Sequence, residues 1–175
     1  RREFLTAGAL AGAGLAVAPP LSGRARAWRW IQGGDAEPAG WGRVEGILAR
    51  IADPVFPDRA FDVTKYGAVG DGARVCTGAF RAAVDACAAA GGGHVVVPAG
   101  RFLTGPIHLK SRVDLHVSDG ATIAFSRDPS DYLPVVFTRW EGVELMNYSP
   151  LVYAYGQTDI AVTGKGTLDG QAGPD

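Results

Sequence analysis

The sequence predicts an all-β fold, a solenoid of short stacked strands whose first coil is capped by an α-helix. Three observations predict it. Glycine punctuates the chain, with 25 in 175 residues beside 47% hydrophobic residues, a balance that suits a turn-rich β protein. From Val95 onward short apolar runs alternate with turn residues, and laying Val95–Val97 over Val113–Val117, and Phe102–Leu103 over Ile123–Phe125, gives a repeat of roughly 20 residues, within the range of solenoid coils. One amphipathic helix precedes these strands instead of alternating with them. An antiparallel sandwich also shows short, evenly spaced strands and is the competing architecture. Against it, the helix comes first, and no Asn-Gly or Asp-Gly turn lies between two long alternating strands.

In chain order, residues 1–27 read as an export signal that lacks its first residues. Arg1-Arg2 opens a small, apolar run from Ala7 to Ala18, and Ala25-Arg26-Ala27 supplies an Ala-x-Ala cleavage site. A core helix is the plainer alternative, but Gly8, Gly12 and Gly14 weaken it, and the run is too short and too weakly apolar to span a bilayer. The twin-arginine export machinery is therefore an expected partner, with a periplasmic or secreted destination and no membrane attachment of the mature form. Residues 28–57 read as a linker. Within it Trp41, Val44, Leu48 and Ile51 keep a helical spacing and Asp53-Pro54 stops the run, which predicts a short amphipathic helix that packs its apolar side. Trp28, Trp30 and Trp41 as a sugar-stacking platform is the functional alternative to that packing role.

Residues 58–175 read as the front of the β domain, cut in mid-fold. Phe61, Val63 and Tyr66 alternate as in a half-buried strand, and Gly67, Gly70, Asp71 and Gly72 make a tight turn. Phe80, Ala83, Val84, Cys87 and Ala88 mark one helix face, with Thr77 placed to cap its start and Gly91-Gly92-Gly93 to end it. Strands are expected at His94–Val97, Arg101–Thr104, Ile107–Leu109, Val113–Val117 and Ala121–Phe125. Ser126 to Trp140, with Asp128, Pro129, Asp131 and Pro134, reads as a long loop leaving the coil. Strands resume at Val143–Met146, Leu151–Ala154, Ile160–Thr163 and Gly166–Leu168. An open solenoid exposes strand edges and its interior, so something must cover the first coil, and the helix from Thr77 to Ala90, with Phe80, Val84 and Cys87 inward, is placed to do so.

The formal net charge is −1, and if residues 1–27 are removed, four arginines and one glutamate leave with them. What remains is acidic, has no basic stripe with interleaved aromatics, and is not expected to bind nucleic acid. An acidic polysaccharide would have to be held by local arginines and lysines. Cys76 and Cys87 fall at opposite ends of the helix, on the order of 16 Å apart at about 1.5 Å per residue, too far for a disulfide. Cys87 reads as core filler, and neither cysteine has a His or Cys at metal-ligand spacing.

Three groups of words carry a family resemblance. Asp62-Val63-Thr64-Lys65-Tyr66-Gly67-Ala68-Val69-Gly70-Asp71-Gly72, Gly91-Gly92-Gly93-His94-Val95-Val96-Val97-Pro98-Ala99-Gly100 and Leu103-Thr104-Gly105-Pro106-Ile107 resemble the pectin-degrading β-helix proteins at large, including rhamnogalacturonases, lyases and phage tail proteins. Thr138-Arg139-Trp140-Glu141-Gly142, Asn147-Tyr148-Ser149-Pro150-Leu151 and Gly164-Lys165-Gly166-Thr167-Leu168-Asp169-Gly170 resemble the polygalacturonases, family 28 of the glycoside hydrolases, more narrowly. The resemblance runs roughly from Trp41 to Asp175. It implies a right-handed parallel β-helix of which only the first coils are present, and a cofactor-free enzyme that cleaves galacturonosyl bonds in pectin or oligogalacturonides by inversion. A pectate-lyase or rhamnogalacturonase-type β-helix enzyme and a non-catalytic carbohydrate-binding β-solenoid are the alternatives.

Inverting hydrolysis needs two carboxyl groups roughly 6.5–9.5 Å apart, one protonating the leaving oxygen and one activating water. The resembling family supplies its machinery as Asn-x-Asp, Asp-Asp, Gly-His-Gly and Arg-x-Lys, and none of these words occurs here. No catalytic residue is therefore assigned, and the chain alone is expected to be inactive. Asp169, before Gly170, reads as a turn residue whose carboxylate accepts backbone N–H bonds. His94, His108 and His116 read as coil-face residues, and no calcium loop or other metal site is present in the pattern. Arg139-Trp140-Glu141 is the one constellation with ligand chemistry: a guanidinium grips a uronate carboxylate and an indole face stacks on a sugar ring. Arg139 and Trp140 are thus the candidate substrate-binding residues. The plainer reading pairs Arg139 with Glu141 across a loop and lays Trp140 over the coil.

Overall fold

The computed structural model describes residues 40–173. The export signal expected at residues 1–27, together with Trp28 and Trp30, lies outside them. The described residues fall into two units that divide between Ala52 and Asp53. In the first, a 3-10 turn at Gly40–Arg43 leads into a five-residue helix, α1 (Val44–Leu48). The expected amphipathic helix is shorter than its spacing implied, and Trp41, Leu48 and Ile51 are exposed instead of packed. Its sequence explains this. Arg43 at the cap position makes no side-chain cap bond, Gly46 sits mid-helix, and a helix this short gains little from its own hydrogen bonds.

The second unit is a solenoid. Its strands are β1 (Ala60–Asp62), β2 (Asp71–Val75), β3 (Gly93–Val97), β4 (Gly100–Thr104), β5 (Ile107–His108), β6 (Val113–Val117), β7 (Ala121–Phe125), β8 (Val136–Trp140), β9 (Val143–Asn147), β10 (Val152–Tyr153), β11 (Ala161–Gly164) and β12 (Thr167–Asp169), with α2 (Thr77–Ala89) between β2 and β3. Three parallel sheets form its faces, in the orders β1-β3-β6-β11, β2-β4-β7-β12 and β5-β10. This excludes the antiparallel sandwich. Val95 lies beside Leu115 and Val97 beside Val117, while Phe102 lies beside Ile123, so the stacking read from the repeat is the observed one. Alternate residues turn inward: Val95, Val97, Val113, Leu115, Phe102, Ile123 and Phe125 are sealed from solvent. Each such side chain contributes about 1.5–3 kcal/mol by burial.

The first coil departs from expectation at two points. The strand begun at Phe61 stops after Asp62, whose carboxylate accepts the Thr64 N–H at 2.8 Å and opens a 3-10 turn over Val63–Tyr66 that Gly67, at φ +96°, closes. Asp71-Gly72, read as a turn, instead begins β2, and Asp71 accepts the N–H groups of Ala73 and Arg74 at 2.9 Å each. That strand lacks apolar alternation and pairs with β4 through an irregular register, so its pattern was hidden.

Helix α2 packs on β1, β3, β4 and β5 at the front of the solenoid, with Phe80, Val84 and Cys87 inward as their spacing predicts. The Phe80 ring meets Phe102 edge-on, at 6.4 Å and 85°. Thr77 does not cap it. Cys76 holds that position without a side-chain cap bond, and the Thr77 hydroxyl, one residue inside, accepts the Gly105 N–H at 2.7 Å and so ties the helix to the turn before β5. At the other end the Arg59 guanidinium donates to the carbonyl of Ala90. Cys76 and Cys87 are both free, and burial pushes the Cys87 thiol up to about 11, which keeps it protonated and inert.

The segment from Ser126 to Trp140 is not a plain loop. Asp128 accepts the Ser130 N–H at 2.8 Å, starting a 3-10 turn at Pro129–Tyr132, and the chain then forms β8, which pairs antiparallel with β9. The strand expected at Val143–Met146 is thus half of a hairpin and belongs to no coil face. Its two-residue turn is Glu141-Gly142, both at positive φ (48° and 88°), the turn that matches strand twist. Glutamate in the place where asparagine usually signals such a turn concealed it.

Candidate functional site

The hairpin folds back toward the face formed by β5 and β10. The Tyr153 hydroxyl donates to the Phe137 carbonyl at 2.8 Å, and the Phe137 ring meets Tyr155 at 5.1 Å and 63°. Between them lies an open groove of about 440 Å³, lined among others by Phe137, Arg139, Glu144, Tyr153 and Tyr155. That volume falls within the range of small-ligand sites, roughly 300–1,000 Å³.

Strand alternation separates the two sequence candidates. Arg139 lines the groove, directly across the hairpin from Glu144. Trp140, one residue on, stands opposite Val143 and projects from the other face, 65% exposed. They cannot hold one sugar between them. Glu141 lies in the turn, and among the described residues Arg139 forms no ion pair with it or with Glu144, which sets aside the pairing of Arg139 with Glu141 across a loop. Tyr155, 62% exposed and steadied by Phe137, presents an aromatic face in the same groove. Phe137, Glu144, Tyr153 and Tyr155 were not singled out from the sequence. Their signal is the two-residue spacing of Phe137 with Arg139 and of Tyr153 with Tyr155, which has meaning only once the hairpin is recognised.

The three histidines serve the coils. His108 Nε2 lies 2.9 Å from the Ser149 hydroxyl, which in turn donates to the Pro150 carbonyl at 3.1 Å, and its ring rests 5.0 Å from that of Tyr153. Partial burial, and then the charge of Arg81, hold its pKa below the ordinary imidazole value although the ring keeps some contact with solvent. With the serine proton directed at Pro150, the neutral imidazole donates to Ser149 and does not activate it. A small cavity of about 90 Å³ adjoins this pair, walled by Arg81, Asp131 and Tyr132. His94 and His116 belong to a polar seam across β3, β6 and β11. Asp114, 2% exposed, meets His94 Nδ1 at 2.8 Å and accepts from the Thr163 hydroxyl at 2.9 Å, and Thr163 meets His116 Nδ1 at 2.9 Å.

Asp169 is a structural carboxylate. It accepts the Gln171 N–H at 2.9 Å and pairs with Arg101 at 2.9 Å. The backbone bond first, and then the guanidinium, hold its carboxyl below the usual carboxylate range, so it is not a proton donor at neutral pH. Among the described residues no three His, Cys, Asp or Glu side chains converge as a metal cluster, and no helix is long and apolar enough to cross a membrane.

No protein-family model matches the chain. A 120-residue stretch is 34% identical to the exo-poly-alpha-D-galacturonosidase of Dickeya chrysanthemi, covering 64% of this chain and 19% of that protein. A 117-residue stretch is 35% identical to a probable polygalacturonase of Vitis vinifera, covering 62% and 24%. Among solved structures, the exopolygalacturonase of Thermotoga maritima superposes with a TM-score of 0.70 at 52% identity, over 73% of this chain and 28% of that one. The chain spans about a fifth to a quarter of the length of these two curated relatives. The fold shared with the solved structures is the right-handed parallel β-helix.

Proposed function

We propose that this chain is the front part of an exported polygalacturonase-like glycoside hydrolase, and that the whole protein cleaves galacturonosyl bonds in pectin by inversion, with no cofactor. The observation that carries the reading is the 52% identity with a solved exopolygalacturonase, sustained over coils that stack in the same way. The catalytic acids lie on further coils, for none of the family's catalytic words is present in these 175 residues. Export follows from Arg1-Arg2 and the apolar run behind them. Arg139 and Trp140 are substrate contacts on opposite faces of the hairpin, and so on different sugar units.

The test is reducing-sugar release from polygalacturonate by the whole protein, with and without a chelator. The expected result is hydrolysis that the chelator leaves untouched, and none by the 175-residue chain alone. An unsaturated product absorbing in the near ultraviolet, lost on chelation, would make the protein a lyase. Binding without release would make it a non-catalytic carbohydrate-binding solenoid. Hydrolysis by the short chain would refute the placement of the acids.

A further inference from the structure

We propose that the groove between the β8–β9 hairpin and β10 is a uronate subsite in which Arg139 holds the sugar carboxylate and Tyr155 carries the sugar ring. It rests on the galacturonan reading above and names the substrate unit and the residues that receive it. Trp140, the aromatic that the sequence points to, is displaced from this role by the hairpin's own geometry, because it faces away from the groove.

Four features make this groove a built site. Arg139 is set on a paired strand, not on a free loop, and the Tyr153 hydroxyl bond to the Phe137 carbonyl fixes that strand to the β-helix face. Edge contact with Phe137 fixes the orientation of the Tyr155 ring while more than half of the side chain stays open to a ligand. Among the described residues Arg139 takes part in none of the ion pairs, although Glu144 stands directly across from it, so its guanidinium is open to a carboxylate arriving in the groove. Glu144, lining the same groove, is an acceptor for sugar hydroxyls and repels a second carboxylate. The arrangement fits an acidic pyranose: a flat apolar ring face for Tyr155, one carboxylate for Arg139, and ring hydroxyls for Glu144.

The experiment measures KM and kcat of the whole enzyme on oligogalacturonides of increasing length, together with calorimetric titration of trigalacturonate into the same variants. Arg139→Ala is expected to raise KM about tenfold, with kcat within about twofold, once the oligomer is long enough to reach the groove. Tyr155→Ala is expected to raise it about fivefold and Tyr155→Phe hardly at all, since the ring and not the hydroxyl carries the sugar. The Arg139→Ala, Tyr155→Ala double variant is expected to lose less than the product of the two single losses, because both side chains hold one unit. Unchanged KM and binding in both single variants at every length would overturn the proposal, as would Tyr155→Phe doing as much damage as Tyr155→Ala. Circular dichroism that matches the wild type guards each variant against misfolding, and Arg139→Lys, which keeps the charge without the fork, should fall between wild type and Arg139→Ala. A wild-type protein that binds trigalacturonate without hydrolysing it would remove the catalytic reading and leave the groove standing. One that does not bind it at all would remove both.

Discussion

Leu168 lies directly beside Ile123 in one inward-facing column of the β-helix, yet Ile123 is fully buried and Leu168 is 45% exposed. Val162 stands in the same relation to Leu115. Among the described residues β11 and β12 stand at the ends of their sheets with no strand paired beyond them, so this rung leaves core positions and hydrogen-bonding edges open to solvent.

The 175-residue chain is accordingly expected to self-associate through this end. Sedimentation velocity should show a concentration-dependent shift that Val162→Lys with Leu168→Lys abolishes. A wild-type chain that stays monomeric at high micromolar concentration would contradict the exposed-end account.

Asp114 is the pivot of the seam joining β3, β6 and β11. Removing its carboxylate takes from His94 its carboxylate partner and leaves Thr163 with His116 alone, and Asp114→Ala is expected to cost about 1–3 kcal/mol of folding stability in urea titration. Asp114→Asn should cost less, since the amide oxygen still accepts. Equal stability of Asp114→Ala and wild type would show that the seam holds nothing.

Glu141 occupies a left-handed backbone position at φ 48°, where a side chain is strained and asparagine or glycine is not. Glu141→Asn is expected to stabilise the hairpin by about 0.5–1 kcal/mol, seen as slower amide exchange in β8 and β9. Gly92 is the converse case. At φ +107°, with the Arg112 carbonyl 2.5 Å from where a Cβ would stand, Gly92→Ala is expected to lower the melting temperature by several degrees, and an unchanged value would contradict the close stacking of these turns.

Much of this architecture is legible in the sequence, and the failures have physical causes. The register of β3 on β6 and of β4 on β7 follows from inward apolar columns, which tolerate no one-residue slip. The inward face of α2 was legible for the same reason. Asp71–Val75 and Val136–Trp140 were missed because one is nearly all exposed and the other is only half-buried, so neither shows the alternation that a core imposes. Arg139 could be picked out by its chemistry, whereas Tyr155 could not, because its importance comes from the hairpin folded above it and that hairpin's turn hides behind Glu141.

Acid should loosen the fold in two steps. His108 has a lowered folded pKa, so its neutral form is favoured; its contribution is complete above the unfolded value of about 6.5 and is lost as pH falls below it. The carboxyls of Asp71, Asp128 and Asp169 are also lowered, by backbone or side-chain hydrogen bonds to their anions, so their contribution is present above the ordinary carboxylate range of about 4 and disappears as pH falls through their folded values. Melting temperatures of wild type and Asp169→Asn should differ at neutral pH and converge in strong acid. A difference that persists or grows in acid would contradict the paired state of Asp169.

The most direct measurement of the central claim is the anomeric form of the sugar first released when the whole protein acts on polygalacturonate, followed by proton NMR before mutarotation. For α-linked galacturonate cut by inversion the β-anomer appears first. The α-anomer appearing first, or an unsaturated uronate in its place, would contradict the claim.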